Sequence, residues 1–265
     1  MTLSKTLFIS DLHLSPADPA TAQAFRRFLT QQARHANQLY ILGDLFEMWI
    51  GDDQLDEPFY AEVAASIATL ADQGVAVFFM PGNRDFVCGT RFAQAAKLQI
   101  LTDPSVITLA NRQRVLLAHG DAYCTDDVAY MRFRRIIRNP LVRMIWLALP
   151  FAWRNRKAGQ LRQQSSAMNR NKMRSIMDVN AAAIENALRR AQVDTLIHGH
   201  THRPARHQEA AGTRWVLPDW YAGVGGYLQW QDGQWQMLTL NDTPLLDDTG
   251  KPLPDSLPPA HQWSE

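Results

Sequence analysis

The stretch Gly199-His200-Thr201-His202-Arg203 follows an apolar run at residues 195–197, which predicts a buried strand. Two histidines one residue apart, just beyond a strand end, can both point from the sheet edge toward one centre. Alone, such a pair is a weak indication of a metal site, because ordinary polar packing explains it equally well. The pair decides the fold only together with matching side chains elsewhere in the chain.

Four more apolar runs end in polar residues in the same way, at 6–9, 39–42, 75–80 and 115–118. Segments with helical spacing at 19–33 and 59–71 separate the first three of these runs. Strands that alternate with helices predict an α/β sheet, in which ligands bind beyond the carboxyl ends of the strands. The polar residues that follow these runs are therefore expected to meet.

The composition is that of a globular enzyme with one large domain or one domain plus an insertion. The chain has 265 residues, of which 46% are hydrophobic and 20% charged. Its two cysteines, Cys88 and Cys124, provide no disulfide framework and fit a reducing compartment. Asp11 cuts short the first apolar run, so we expect no signal peptide. No run of about 20 apolar residues is present, and we expect no membrane-spanning segment.

The polar residues at the strand ends combine oxygen and nitrogen donors. They are Asp11, His13, Asp44, Asn83, His119, His200 and His202. Such mixed donors suit manganese, iron or zinc, and the residue types do not choose among these metals. The set is too large for one four-coordinate ion and suits two ions that share a bridging carboxylate. A pair of ions about 3.5–4 Å apart can clamp a phosphoryl group and generate a nucleophilic hydroxide.

The motifs that carry these residues resemble, in the same order, those of the calcineurin-like metallophosphoesterases. They are Asp11-Leu12-His13, Gly43-Asp44, Gly82-Asn83-Arg84-Asp85, His119-Gly120-Asp121 and Gly199-His200-Thr201-His202. The resemblance implies an α/β fold, a four-layer α/β/β/α sandwich with an inserted helical cap. It implies that one metal ion is held by Asp11, His13, Asp44 and His202. The second would be held by Asp44, Asn83, His119 and His200, with Asp44 as the bridge. Any one motif could instead be a strand-end cap or a turn, but the complete ordered set argues against that alternative.

The general pattern of this family has a histidine where this chain has Arg84. Arginine stays protonated in proteins, so it is a poor proton donor and a good bidentate clamp for phosphate. An alcohol leaving group benefits from protonation, whereas a phosphate monoester, whose second pKa is about 6, does not need it. Arg84 therefore favours cleavage of a pyrophosphate over an ordinary phosphomonoester. The alternative is a surface arginine beside the site.

Residues 128–177 contain no Asp or Glu and 12 Lys or Arg, around an apolar centre at 141–153 that includes Trp146 and Trp153. This centre is too short to span a bilayer. Apolar residues, tryptophans and flanking arginines together predict a surface that lies on anionic lipid or holds a lipid. The alternatives are a buried core helix, a solvated helix face, or a nucleic-acid site, for which no stacking pattern or recognition motif is present.

Arg84 and this basic segment narrow the resemblance to the branch of the family that acts on UDP-2,3-diacylglucosamine in lipid A biosynthesis. The resemblance implies two Mn²⁺ ions and a metal-activated water that attacks the α-phosphorus, releasing UMP and 2,3-diacylglucosamine 1-phosphate. It implies catalytic roles for Asp44, Asn83, Arg84, His119 and His200. It implies substrate contacts from Asn83, Arg84, Asp127, Ser165, Asn169, Lys172 and His200. The spacing of Ser165, Asn169 and Lys172 would place all three on one face of a helix.

The expected domains are a core at 1–124 and 190–242, a cap at 125–189 and a mobile proline-rich tail at 243–265. A hairpin is predicted around Asp232-Gly233. The resemblance implies peripheral attachment to the cytoplasmic face of the bacterial inner membrane. We expect the lipid substrate and the membrane surface as partners, and infer neither nucleic acid nor a protein partner. A phosphodiesterase or phosphatase for a soluble substrate and a non-catalytic membrane-docking scaffold remain as alternatives.

Overall fold

The first of two sheets carries the helices predicted near the N-terminus. A computed structural model describes residues 4–170 and 178–253, without the side chains of 162–170. The spatial order of this sheet is β11 (Gln234–Thr239), β10 (Gly226–Gln231), β1 (Lys5–Ile9), β2 (Gln38–Ile41), β3 (Ala76–Phe79) and β4 (Gln99–Ile100). Strands β1 to β4 run parallel, and β10 and β11 form the predicted hairpin, with Asp232 and Gly233 at positive φ.

The second sheet is formed by five strands of four or five residues each, the first of which begins at Ser105. Its order is β5 (Ser105–Thr108), β6 (Arg114–Leu117), β7 (Thr195–His198), β9 (Gly212–Val216) and β8 (Ala205–Glu209). The three central strands are parallel, and β5 and β8 are antiparallel edges. Within each sheet, the strands that precede a predicted metal ligand are parallel to one another, so their carboxyl ends lie at the same edge.

Alternating side chains on these strands build three apolar layers. Leu7 and Ile9 pack against α1 (Pro19–Gln31), α2 (Pro58–Asp72) and α3 (Thr90–Ala95), whereas Phe8 between them points into the space between the sheets. On the far side, Leu116 and Leu196 pack against α7 (Ala181–Ala191). Because both faces of the central strands are covered, the strands have continuous apolar sequences. The arrangement is the expected α/β/β/α sandwich.

Three helices without a counterpart in the sandwich lie between β6 and α7. They are α4 (Val128–Ile137), α5 (Pro140–Ala148) and α6 (Phe151–Arg170). No residue of α4 or α5 is buried, so the apolar run at 141–153 is not a core helix. None of the helices in the described parts of the chain has the length and hydropathy needed to cross a bilayer.

The predicted domain limits remain proposals. The structure describes the packing around two of them, the end of the cap at residue 189 and the start of the tail at residue 243. Helix α7 begins at Ala181, before the predicted end of the cap at 189, and packs on the second sheet through Ile184 and Leu188. At the predicted start of the tail, Leu245 is fully buried between the sheets. Residues 254–265 lie outside the described part of the chain. We therefore propose that α7 and Leu245 belong to the core.

The junction of α5 and α6 is fastened to the loop after β2 by Arg154. This side chain is 3% exposed, pairs with Asp53, and donates to the carbonyl oxygens of Ile50 (2.5 Å) and Leu149 (2.9 Å). The indole of Trp146 also donates to the Ile50 carbonyl, at 3.0 Å. The insertion is thus held to the core by buried polar contacts while its apolar side chains face outward.

We expect Arg154→Ala to loosen α5 and the start of α6 without unfolding the sandwich, because it removes the cation that pairs with Asp53 and one of the two donors to the Ile50 carbonyl. The local opening free energy should fall by about 2–4 kcal/mol. Hydrogen exchange would show faster exchange in α5 and unchanged protection in β1 to β3. Arg156→Ala, which removes an exposed arginine from the same helix, is the control. Equal effects of both variants would contradict this account of the junction.

Candidate metal centre

The predicted ligands follow five parallel strands at the edge where the two sheets meet. Asp11 and His13 follow β1, Asp44 follows β2, Asn83 follows β3, His119 follows β6, and His200 and His202 follow β7. The first two loops are tied together by main-chain bonds, from the Asp11 amide to the Gly43 carbonyl (3.0 Å) and from the His13 amide to the Asp44 carbonyl (2.9 Å). The parallel topology therefore brings the motifs to one place.

Five of these ligands have a left-handed backbone, which non-glycine residues rarely adopt. The φ angles are 54° at Asp11, 49° at His13, 52° at Asp44, 66° at His200 and 54° at His202. Each such residue costs on the order of 1–3 kcal/mol, and strain of this kind collects at functional sites. The backbone is bent so that consecutive loops aim their side chains inward.

Two glycines leave the space that the ligand side chains fill. A Cβ on Gly199 would overlap Asp11 Oδ2, and a Cβ on Gly82 would overlap Asp44 Oδ1. Any larger residue would push a carboxylate out of the site. The glycines of the motifs are therefore part of the site's packing.

Asp11, His13 and His202 form one group of donor atoms within 4.8 Å of one another. His13 Nε2 and His202 Nε2 are 3.3 Å apart, and His202 Nε2 is 3.3 Å from Asp11 Oδ1. Asp11 Oδ1 is buried and accepts no hydrogen bond of regular geometry from the described residues. The other oxygen, Asp11 Oδ2, accepts hydrogen bonds from the His200 amide (2.8 Å) and Ser10 Oγ (2.6 Å). One carboxylate oxygen is thus fixed by the protein and the other is directed into the site.

Asp11, Asp44 and His119 form a second, fully buried group. His119 Nδ1 donates to the Leu42 carbonyl at 2.9 Å, which leaves Nε2 facing Asn83 Oδ1 at 2.9 Å and Asp44 Oδ1 at 3.6 Å. Three acceptors directed at one point require a proton or a cation between them. Asp11 is shared by both groups here, whereas the resemblance names Asp44 as the bridge, and that role of Asp44 remains a proposal.

The pKa values of the site histidines are shifted by burial and by the neighbouring carboxylates, which favour a positive charge at this place. Burial lowers the pKa of His119, but Asp44 and Asp11 outweigh burial and raise it to about 9. Burial likewise lowers the pKa of His202, and its contact with Asp11 raises it to about 9. Burial and the neighbouring His119 lower the pKa of His200 to about 4, so this ring is neutral and able to ligate. Neutral imidazoles, carboxylates and an amide oxygen are donors that fit divalent transition metals.

Asp85 holds two of the ligand loops in register. Its carboxylate accepts hydrogen bonds from four main-chain amides, those of Asp44 (3.3 Å), Leu45 (2.7 Å), Phe46 (3.4 Å) and Gly82 (2.7 Å). Burial and the nearby Asp44 raise the pKa of Asp85 to about 7. This residue stands next to Arg84 in the motif, and its carboxylate contacts backbone amides rather than the donor groups.

Two acidic residues near the site were not among the predicted ones. Glu47 Oε2 lies 3.3 Å from His13 Nδ1, and Oε1 lies 3.9 Å from Nη1 of Arg84. Asp219 Oδ2 lies 3.9 Å from His202 Nδ1. Carboxylates at the outer nitrogens of ligand histidines orient the rings. Glu47 could have been found from the sequence, because it lies only three residues after Asp44 of a predicted motif. Asp219 lies outside every predicted motif.

Of the predicted substrate contacts, Asp127, Ser165, Asn169 and Lys172 belong to the predicted cap and are only partly visible, whereas Asn83, Arg84 and His200 lie on core loops. Asp127 is buried and caps α4, with Oδ1 accepting from the Tyr130 amide at 3.0 Å. Ser165 and Asn169 lie on α6, but their side chains are outside the described structure, as is the whole of Lys172. Arg84 has an exposed fraction of 33%, and its amide donates to Asp44 Oδ1 at 2.8 Å. Arg84 is therefore placed beside the second donor group and open to a ligand.

Comparison with known proteins agrees with this geometry. A relative from Serratia proteamaculans (strain 568), named UDP-2,3-diacylglucosamine hydrolase, is 49% identical over 220 residues, which cover 82% of this chain and 91% of the relative. Relatives of the same name from Ralstonia nicotianae (47% identity, 85% and 89% covered) and Shigella dysenteriae serotype 1 (44%, 91% and 98%) are similar over most of their lengths. The profile of the family described as calcineurin-like phosphoesterase matches residues 4–204. With this match across the sandwich and its ligand loops, the chain belongs to the calcineurin-like phosphoesterase family.

Proposed function

We propose that this protein hydrolyses the pyrophosphate of UDP-2,3-diacylglucosamine to UMP and 2,3-diacylglucosamine 1-phosphate, a step of lipid A biosynthesis. The relatives reported above are named UDP-2,3-diacylglucosamine hydrolase. The observation that carries the proposal is an exposed apolar cap directly beside the donor groups. Arg138 of α4 donates to the Gly82 carbonyl at 3.0 Å, next to Asn83, while Leu141 and Ile145 of α5 are 65% and 61% exposed. A soluble substrate would give this surface no role.

The donor groups fit two divalent cations, and we propose that both are Mn²⁺. Asp11, His13, Asp44 and His202 would hold one ion, and Asp44, Asn83, His119 and His200 the other. The buried Asp11 Oδ1, which faces His202 Nε2 at 3.3 Å, and the acceptors that face one another at His119 support this fit. Bound there, the ions would supply charge neutralisation at the phosphoryl oxygens and a nucleophilic water at neutral pH.

Side chains of the protein supply the remaining contributions to the reaction. Arg84 clamps phosphoryl oxygens as the charge on the leaving group grows. Asn83 and the neutral ring of His200 stand on the cap side of the site, where the ring of Tyr130 stacks on His200 at 6.2 Å. In the reaction, the oxygen of water bonds to the phosphorus attached to uridine. The bond from that phosphorus to the bridging oxygen breaks, and its electrons leave with the sugar phosphate. One proton of the attacking water passes to solvent. The leaving group is a phosphate monoester, whose second pKa is about 6, so it needs no general acid.

Attachment to an anionic membrane surface is part of the proposal. Large apolar side chains of α4, α5 and α6 are exposed, and they are Val128, Phe133, Ile136, Leu141, Val142, Met144, Ile145, Leu147, Trp153 and Leu161. Arg132, Arg135 and Arg156 are exposed among them. Arg134, Arg138 and Arg154 are taken up by contacts with the core, so only part of the basic segment is available to lipid. The surface fits a helix pair that lies in the headgroup region.

Removal of the metal ions should abolish turnover. We expect a chelated and dialysed protein to release no UMP from UDP-2,3-diacylglucosamine, and added Mn²⁺ to restore release. His119→Ala should lower both the metal content and kcat, the latter by more than about 100-fold, because charge neutralisation is lost. Elemental analysis and a UMP assay measure the two effects. His207→Ala, a half-buried histidine on β8, is the control. Near-normal turnover by metal-free, folded His119→Ala protein would exclude the dimetal proposal.

Arg84→Ala should lower kcat by about 10²–10³-fold, the usual cost of removing one donor that stabilises transition-state charge. Arg84→Lys should recover only part of this loss, because an ammonium group cannot form the bidentate contact. The metal content should stay unchanged in both variants. Arg91→Ala, which removes an exposed arginine from α3, is the comparison. Full recovery in the lysine variant would argue against a bidentate clamp.

The double substitution Leu141→Asp with Ile145→Asp should weaken binding to phosphatidylglycerol vesicles by at least about 10-fold, since each side chain loses an apolar contact with lipid. Cosedimentation measures this change. Hydrolysis of a small aryl phosphodiester should be unaffected, while turnover of the lipid substrate falls. Val106→Asp, at an exposed valine on β5, should leave vesicle binding unchanged. Undiminished vesicle binding by the double variant would place the membrane contact elsewhere.

A further inference from the structure

Large apolar side chains exposed outside α4 to α6 are few in the described part of the chain. They are Val106 (40% exposed), Tyr221 (52%) and Val224 (40%). Two of the three lie on one turn in the loop between β9 and β10. An exposed aromatic ring paired with an aliphatic side chain is a common contact surface for a planar ligand.

This turn is rigid. Tyr221 and Val224 exchange two main-chain hydrogen bonds of 2.9 Å each, and the residues between them, Ala222 and Gly223, both have positive φ. Its tip is fastened to the start of α1, where the Ala222 amide donates to Asp18 Oδ2 (3.2 Å) and the Gly223 amide donates to Thr21 Oγ1 (3.1 Å). The Tyr221 side chain is therefore presented by a backbone that needs no further ordering when a ligand binds.

The turn directly follows two residues that contact the first donor group, the one formed by Asp11, His13 and His202. The Trp220 amide donates to the Asp11 carbonyl at 3.0 Å, and Asp219 stands beside the outer nitrogen of His202. Trp220 itself is buried against Phe28. Tyr221 is the next residue, and the two residues from Asp219 to Tyr221 span at most about 7 Å of chain.

The cap approaches the opposite end of the site. Its contacts run through Arg138 to the Gly82 carbonyl, through Arg134 to Asp121, and through the ring of Tyr130 to His200. These residues surround the second donor group, with Asn83 and His119. A pyrophosphate bound across both groups, with its acyl chains at the cap, must direct its other substituent past His202.

We propose that Tyr221, supported by Val224, is the platform on which the uracil ring of the nucleotide half stacks. The inference rests on the proposed function, because that function supplies a substrate with a nucleobase on one phosphate. Stacking on an aromatic ring is favourable for any base, and a preformed turn keeps the ordering cost low. The cap thus binds the lipid half, and the turn binds the half that leaves as UMP.

The test compares binding of UMP with binding of ribose 5-phosphate, which lacks the base. Calorimetry with Mn²⁺-loaded wild-type protein should show tighter binding of UMP. Tyr221→Ala should weaken UMP binding by about 5- to 30-fold, leave ribose 5-phosphate binding unchanged, and raise the KM for UDP-2,3-diacylglucosamine by a similar factor. Tyr221→Phe keeps the ring and should behave as wild type. Val106→Ala is the control for an exposed apolar residue elsewhere.

The outcomes separate the two proposals. If wild-type protein releases no UMP from UDP-2,3-diacylglucosamine, the proposed function fails, and the calorimetric comparison still decides whether the turn binds the base. If Tyr221→Ala keeps the full preference for UMP over ribose 5-phosphate, the platform is excluded even when turnover is normal. A melting temperature for each variant shows that the exposed substitutions leave the fold intact.

Discussion

Donor atoms from loops of both sheets must lie within a few ångströms of one another to form the candidate metal centre. Much of the structure holds these loops in place. Asp11 and Asp44 come from the first sheet, and His119 and His202 from the second. Nitrogen and oxygen atoms of these loops face one another at 3.3 to 3.6 Å, a spacing that is repulsive unless a proton or cation lies between them. The apolar layer between the sheets opposes this repulsion by holding the two sheets in register.

The backbone at the site is held in place by polar contacts that leave the ligands free. Asp85 collects amides from the loops after β2 and β3, and Asp11 Oδ2 accepts the amide of His200 from the other sheet. These bonds fix residues whose left-handed conformations would otherwise relax. Each carboxylate that acts in this way is buried, so water does not compete for its hydrogen bonds. The surrounding shell thus stabilises the strained conformation that the ligand set requires.

The sequence predicts those parts of the fold in which a residue pattern can arise in only one way. Runs such as residues 39–42 are apolar on both faces because helices cover one side and a sheet the other. By contrast, β8 (Ala205–Glu209) is an exposed edge with a mixed sequence, and its pairing with β9 depends on a distant partner. Short elements such as α3 carry too few residues for a period to be visible.

The site shows the same division between local and distant information. The candidate ligands from Asp11 to His202, whose role as metal ligands stays a proposal, could be proposed from the sequence because each stands in a short motif at the end of a strand. Asp219 was not predictable, because its contact with His202 depends on how the loop after β9 folds back. The basic segment at 128–177 was predicted to lie on or hold lipid, and its composition did not reveal that three of its arginines contact the core. Arg134, Arg138 and Arg154 meet acids that lie far away in the sequence, and composition alone cannot reveal such partners.

The arginines that dock α4 also solve an electrostatic problem of the core. The side chains of Asp103 and Asp121 are buried beside His119, where two extra carboxylates would repel an anionic substrate. Arg134 bridges both acids, at 3.1 Å and 2.8 Å, and Arg138 lies within 3.8 Å of both. Burial raises the pKa of Asp121, but His119 and Arg134 outweigh burial and hold it below its usual range, so this acid stays ionised and paired. The cap therefore neutralises the acids around the second donor group through the same contacts that fasten it, and a displaced cap would expose the phosphate site to negative charge.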